Sequence, residues 1–272
     1  MKEQKRLLAL AMAAVLIIGL MPGITAEAAK KKVYVLTQIY HDNYDPSGTE
    51  SWGTWTENIS YEKNGLVKRI SEGSSGGTVF KYDDDGKIIS IKQRGGYYIE
   101  KLEYDSKGRV KEMTRSTKET NATQQYLFIS NGNGLITKEK DCFIQNKKTE
   151  FSSTTTFSYD SFDRIKQSKK DGSEPTVYQY DEKGNLSGYL VNDNVAYMDG
   201  TVETNSYINT YQGNRLASRE FISNVAAGKS FANYRYKQIS VDKDLAKTIE
   251  AQQWMLLNEY LNNVPLLSIM GE

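Results

Sequence analysis

The chain of 272 residues sets 35 Lys and Arg against 34 Asp and Glu, so no net field draws in nucleic acid or an anionic membrane surface. A single cysteine, Cys142, excludes an intramolecular disulfide, and a single histidine, His41, excludes a paired-histidine metal site. Stability must come from packing and backbone pairing, and neither a metal nor a cofactor is expected.

The chain begins with a basic "MKEQKR" followed by the apolar run "LLALAMAAVLIIGL", which Pro22 and Gly23 interrupt. That run falls short of the ~20 apolar residues of a membrane span, so residues 1–28 read as a signal peptide. Ala26-Glu27-Ala28 supplies the small residues of a cleavage site, and the mature chain is expected to start at Ala29. No cysteine neighbours that site to take a lipid, and no second apolar stretch is long enough to span. The protein is expected to be secreted or held at a bacterial cell surface, with no integral membrane segment after cleavage.

After a strand expected near Val33 to Ile39 comes "HDNYDPSGTESWGTW", which has the composition of a loop. His41 beside Asp42 reads there as a solvated turn. Trp52 and Trp55 stand among small polar residues, and such aromatic platforms suit stacking on the apolar face of a pyranose. The structural alternative is that both tryptophans simply begin the first strands and pack on the core.

From Tyr61 onward one sentence is written again and again. Four copies share a spacing: "YDDDGKI" from Tyr82, "YDSKGRV" from Tyr104, "YDSFDRI" from Tyr159 and "YDEKGNL" from Tyr180. Three looser copies start at Tyr61, Ser130 and Tyr211, so the unit recurs every 21 to 31 residues. Each copy has the chemistry of a β-hairpin whose type I turn is followed by a bulge. Asp accepts a backbone N–H at the first turn position, and Gly86, Gly108 or Gly184 enters the left-handed region at the fourth. Asp163 takes that place in the third copy, where Asp is tolerated better than most residues. The Asn-Gly pairs of two looser copies, Asn64-Gly65 and Asn133-Gly134, suggest a tighter turn.

Tyr82, Tyr104, Tyr159 and Tyr180 should then face Ile88, Val110, Ile165 and Leu186 across the ladder. Phe80, Leu102, Phe157 and Tyr178 lie two residues earlier with polar residues between, giving one greasy face and one wet face. The resulting sheet of about 15 to 17 strands exceeds the roughly ten at which open twisted sheets curl or split. The expected fold is therefore mainly β: a large antiparallel hairpin-repeat sheet curled into a barrel-like or spiral shell, spanning residues 29–241.

The Tyr-Asp, Gly-Arg-hydrophobic pattern of "YDSKGRV" resembles the YD repeats of the RHS type, and the resemblance covers about 160 residues. What the resemblance implies is a hollow β-shell, as in large extracellular proteins. The chain is much shorter than those proteins and its spacing is irregular after Tyr104 and Tyr180. Short secreted bacterial proteins made of YD-like repeats are the nearer likeness.

From Asp242 the hydrophobic period becomes helical. "DKDLAKTIEAQQWMLLNEYLNN" lacks Gly and Pro, offers Asp242 as N-cap and is followed by Pro265. Leu245, Ile249, Trp254, Leu256, Leu257, Tyr260 and Leu261 form a broad apolar face. Residues 242–272 are expected to be a helix and tail belonging to the same domain, packed on or inside the shell with the aromatic sheet face as its receptor. Cys142, beside Phe143, is expected to be a small buried strand residue.

No nucleophile motif or phosphate-cradling loop occurs, and Asp83, Asp84 and Asp85 lack the spacing of a calcium loop. The reading is a non-enzymatic binding or adhesion scaffold, with a cell-wall or extracellular glycan, or another surface protein, as partner. The alternatives are an RHS-like shell component of a secretion or toxin system, and an extracellular polysaccharide hydrolase working through two carboxylates.

Overall fold

The computed structural model describes residues 30–45, 49–72, 77–93, 96–117, 119–120, 122–196, 202–223 and 229–257. The leader at 1–28 and the expected helix residues Tyr260 and Leu261, with Pro265, lie outside them. The strands are β1 (Lys30–Tyr44), β2 (Ser51–Tyr61), β3 (Val67–Glu72), β4 (Thr78–Tyr82), β5 (Ile88–Gln93), β6 (Tyr98–Tyr104), β7 (Val110–Thr117) and β8 (Ala122–Ser130). They continue as β9 (Ile136–Gln145), β10 (Lys148–Tyr159), β11 (Ile165–Lys170), β12 (Thr176–Tyr180), β13 (Leu186–Ala196), β14 (Val202–Gln212), β15 (Arg215–Ser223) and β16 (Lys229–Asp242). One helix, α1 (Lys243–Leu257), follows directly. Each strand pairs antiparallel with its sequence neighbours and β16 returns to β1, so the sheet is a closed barrel and not a spiral.

The repeated sentence builds the same turn each time. In the second copy Asp105 Oδ1 accepts the N–H groups of Lys107 at 2.9 Å and Arg109 at 3.0 Å. Gly108 sits at φ +80°, and Asp163 occupies the equivalent place at φ +59°. The ladder shifts by one residue after the turn, so Tyr104 pairs with Val110, Tyr82 with Ile88, Tyr159 with Ile165 and Tyr180 with Leu186. The copy at Tyr61 makes this same turn and not a tighter one: Glu62 N–H bonds Leu66 O at 2.8 Å and Gly65 N–H bonds Glu62 O at 3.0 Å. Gly65 is the more constrained glycine, because a Cβ there would lie 2.7 Å from Val241 Cγ1 and 2.9 Å from Ile249 Cδ1.

Between hairpins the strands part before the turn level is reached. The β5–β6 ladder starts at Ser90↔Lys101 and the β11–β12 ladder at Gln167↔Val177, leaving the carbonyls of Ile88 and Ile165 beyond the pairing. The tyrosine of the next hairpin fills the gap. Tyr82 OH donates to Val67 O at 2.6 Å, Tyr104 to Ile88 at 2.8 Å, Tyr159 to Ile136 at 2.7 Å and Tyr180 to Ile165 at 2.7 Å. Tyr211 reaches Leu186 O at 3.0 Å, Tyr236 reaches Leu216 O at 2.9 Å, and Tyr61 closes onto Leu36 O. Seven of the eight seams carry this bond; the β7–β8 seam has Ser130 where the others have tyrosine.

The greasy face is the lumen. Leu36, Val67, Ile88, Val110, Ile136, Ile165, Leu186 and Leu216 form a layer at the turn end, and Phe80, Leu102, Met113, Phe128, Phe157 and Tyr178 a second layer within one cluster. Lys81, Lys101, Glu103, Lys111, Lys166 and Gln179 alternate with them and are exposed. At the turn end the β1–β16 ribbon continues past Leu36 for six pairs, from Val35↔Lys237 to Lys30↔Asp242. A bulge between Leu36 and Gln38 reverses its faces. Val33, Val35 and Val241 thereby form a second, smaller core with Leu66, Ala246 and Ile249, and this core is the main receptor of α1. The helix then reaches the barrel itself: Gln253 Oε1 accepts the Leu36 N–H at 2.6 Å, Gln252 Oε1 accepts the Val67 N–H at 3.2 Å, and Leu256 joins the lumen cluster.

Three outcomes follow from this packing. Tyr159→Phe should cost about 1–2 kcal/mol in denaturant unfolding by orphaning a carbonyl, while Ser130→Tyr should raise the midpoint by supplying the missing bond. Ile249→Ala should cost about 2–5 kcal/mol and expose dye-binding surface, because Ile249 is fully buried between ribbon and turn.

The tyrosines also set an alkaline limit. Burial pushes the phenols of Tyr159 and Tyr211 up to about 12, and raises those of Tyr82, Tyr104 and Tyr180. A raised folded pKa leaves stability intact below the unfolded value near 10 and removes it as pH climbs toward 12. The melting temperature should hold to about pH 10 and then fall steeply, with tyrosinate absorbance rising in the same transition.

Candidate functional site

The residues carrying chemistry gather in the lumen from the second layer outward, starting with Glu139 opposite Phe128 and Arg219 opposite Asn209, toward the end opposite the turns. His41 belongs to β1 and not to a loop: pairing with β2 on one side and β16 on the other carries the strand to Tyr44. It is buried, and its Nε2 lies 2.7 Å from Glu57 Oε1, which is buried as well. The loop itself shrinks to the neighbourhood of Asp45, whose Oδ1 accepts the N–H groups of Thr49 at 2.7 Å and Glu50 at 3.0 Å.

Trp55 pairs with His41 across the β1–β2 ladder and lies flat on its ring, with centroids 4.3 Å apart and planes 5° from parallel. One indole face is thus fixed by a buried imidazole while the side chain stays 42% exposed. Trp52 is at the start of β2 and 61% exposed. The two tryptophans begin a strand without being buried in the core, and Trp55 lines a cavity.

That cavity has a volume of about 280 Å³ and is lined by His41, Trp55, Tyr207, Arg219, Phe221, Ser230, Phe231, Ala232 and Tyr234. Its far wall is a file of rings: Tyr189 stacks on Tyr207 at 4.2 Å, and Tyr207 leans on Phe221 at 5.0 Å. Arg219 Nε donates to Asn209 Oδ1 at 2.7 Å, and Asn209 Nδ2 donates to Leu186 O at 2.7 Å, so the guanidinium is anchored to a seam carbonyl. Ser230 Oγ bonds Asn43 Oδ1 at 2.6 Å, leaving it outside any serine–histidine contact.

A second polar wall is formed by β6 to β11. Arg115 holds Glu100 through contacts of 2.5 and 2.7 Å. Glu139 is buried on β9, and burial, with some help from Asp141 and against Lys170, lifts its carboxyl to about 7. Cys142, on the same strand, is half-buried with a free thiol. Among the described residues no group of three or more His, Cys, Asp or Glu is placed to hold a metal ion.

The repeat-defining residues lie away from this site. Tyr82, Gly86, Tyr104, Gly108, Tyr159, Tyr180 and Gly184 sit at the turn end, where Asp83, Asp105, Asp160 and Asp181 bond turn N–H groups. The Arg after the glycine has a role that the turn alone does not indicate. Arg109 Nε bonds Asp105 Oδ2 at 2.7 Å, and this bond is the main cause that holds the Asp105 carboxyl near 2. Arg164 repeats the contact with Asp160 at 2.7 Å.

Glu139 makes the pH dependence testable. A carboxyl raised from its usual value to about 7 favours the folded state below pH 4.5 and loses that contribution as pH rises through 7. Glu139→Gln should therefore stabilise the protein at pH 8, on the order of 2–3 kcal/mol, with little gain at pH 5. Paired thermal melts at the two pH values measure it.

No family model and no curated protein sequence matches the chain. Among solved structures, a porin-like protein from Bacteroides uniformis aligns with a TM-score of 0.47 at 14% identity, covering 74% of this chain and 98% of its own. A porin-like protein from Bacteroides vulgatus aligns at 0.44 and 12%, with the same coverage of 74% and 98%. The Photorhabdus luminescens Tc holotoxin pore aligns at 0.28 and 12%, over 67% of this chain and 11% of the toxin chain. At this level of similarity no activity carries over from any of them.

Proposed function

We propose that the chain is a secreted, non-enzymatic binding scaffold of the YD-repeat type that receives a sugar unit of a cell-wall or extracellular glycan in the cavity beside Trp55. The observation that carries this reading is the indole itself, flat on a buried imidazole and 42% exposed in an aromatic-lined cavity. A pyranose stacks its C–H face on such a ring, while its hydroxyls need nearby partners such as Ser230 and Arg219. At about 280 Å³ the cavity matches the small end of ligand sites, suited to one terminal sugar and not a long chain.

Other features support binding over catalysis or encapsulation. His41 is turned to Glu57 and Ser230 to Asn43, so these two do not form a base–nucleophile pair. Glu139 and Asp141 stand two apart on one strand and would approach a glycosidic bond from one side, whereas its hydrolysis calls for carboxylates flanking it. The apolar cluster and α1 occupy the turn end of the lumen, which leaves little room for a passenger. The exposed Lys81, Lys101, Glu103 and Lys111 between the lumenal residues speak against a lipid-facing band.

A glycan array and a pull-down with purified cell wall test the reading. Bound sugar should quench tryptophan fluorescence, Trp55→Ala should weaken binding at least tenfold, about 1.4 kcal/mol, and Trp52→Ala should leave it nearly unchanged. Retention of full affinity by Trp55→Ala, or the absence of any glycan ligand, would remove this reading.

A further inference from the structure

The polar wall across β9 and β10 holds atoms that the Trp55 cavity does not use. Glu139 is 8% exposed and its Oε2 has no hydrogen-bond partner among the described residues; Ser153 is 8% exposed and its Oγ has none either. Ser153 pairs with Asp141 in the ladder, and Glu139 lies two residues from Asp141 on the same face. Two unmatched polar atoms and a carboxylate are thus presented together on the lumenal face of neighbouring strands. Buried polar atoms are ordinarily satisfied, so the pair calls for a donor that the described residues do not supply.

The surrounding charges say what kind of donor fits. Arg115 on β7 is committed to Glu100 on β6, Asp141 takes Gln124 Nε2 on one oxygen, and Lys170 on β11 is exposed. Tyr126 on β8 lies opposite Asp141 on β9 and Met113 on β7, and its phenol is raised by burial, with Arg115 lowering it and Asp141, Glu139 and Glu100 raising it further. The wall carries three carboxylates against two cations. A divalent metal would need more oxygen ligands than two carboxylates and a hydroxyl, whereas an ammonium has three N–H donors for three acceptors.

We propose that Glu139, Asp141 and Ser153 form a lumenal site for a protonated primary amine, the group that an amino sugar would bring. The amine site stands on these atoms alone; its assignment to an amino sugar rests on the glycan reading above. Burial keeps the Glu139 carboxyl partly protonated near neutrality, with Asp141 raising and Lys170 lowering its pKa. Binding of the ammonium replaces the O–H proton of Glu139 with an N–H···O contact and releases that proton to solvent. Binding therefore tightens as pH rises through 7.

The test follows the Glu139 carboxyl by NMR in protein labelled at glutamate Cδ, with the signal assigned by its absence in Glu139→Gln. Methylammonium chloride and glucosamine are each added at high concentration, with sodium chloride at equal ionic strength and glucose as controls. Both amines should lower the Glu139 titration midpoint by about one pH unit or more, and Ser153→Ala should weaken each several-fold. Sodium chloride and glucose should leave the midpoint in place. A midpoint that neither amine moves means that water alone satisfies these atoms, and overturns the proposal. An effect of methylammonium without one of glucosamine keeps the amine site and removes the amino sugar. Glucose quenching of Trp55, read in the same samples, reports on the glycan reading separately.

Discussion

The structure depends on a carbonyl that the sheet leaves unpaired. Each turn is followed by a bulge, and neighbouring hairpins part below it, so one backbone acceptor per seam faces an apolar layer without a strand partner. Such an acceptor is costly when buried. At every seam but β7–β8 the tyrosine of the next hairpin satisfies it through a side chain, and in doing so ties that hairpin to its predecessor, as far round as Tyr61 and Leu36 O. The Asp and Gly make the turn, the aliphatic residue supplies the carbonyl and the wall, and the Tyr bonds the previous unit. Conformation, packing and seam closure are thus written into seven residues.

This arrangement divides the lumen. Around the turn end the side chains are aliphatic and the phenols point at backbone, so the interior there is apolar and capped by α1. Two residues farther along each strand the demands relax, and the inward positions carry Glu57, Glu100, Arg115, Asp141 and Arg219. These charges are held in pairs or by neighbouring side chains, as Glu57 is by His41 and Glu100 by Arg115. A rigid apolar base with a polar, aromatic upper wall gives a site fixed by strands, which places groups more accurately than loops do.

The hairpins were legible because their causes are local. Asp105 and Gly108 lie within one turn, and the pairs from Tyr82↔Ile88 to Tyr180↔Leu186 are set by that turn's geometry. The partner of each phenol is 15 to 25 residues away on another hairpin, so the local pattern marks the tyrosines only as apolar residues and gives no sign of their hydrogen bonds. Ser130 shows the reverse: this copy has no tyrosine yet makes the turn through Asn131, whose Oδ1 accepts the Leu135 N–H at 3.0 Å. The polar neighbours of His41 point to a loop, but the far lumen accepts polar residues and alternation there no longer marks a strand. Glu139 and Ser153 carried no signal at all, since inward and outward carboxylates look alike until the register is known.

Closure by β16 onto β1 has a consequence for how the protein comes to be folded. Seven hairpins can form from neighbours in sequence, but the last pairing joins residues about two hundred positions apart, such as Thr37 and Arg235. Contacts of that separation are slow to form, and until they do the growing sheet has two bare edges. The bond from Tyr61 to Leu36 O and the contacts of Gln253 with β1 can lock only when the N-terminal and C-terminal parts of the chain meet. The barrel is thus a ring that shuts once, at a single seam, and the interval before it shuts is when stray strands can pair with it.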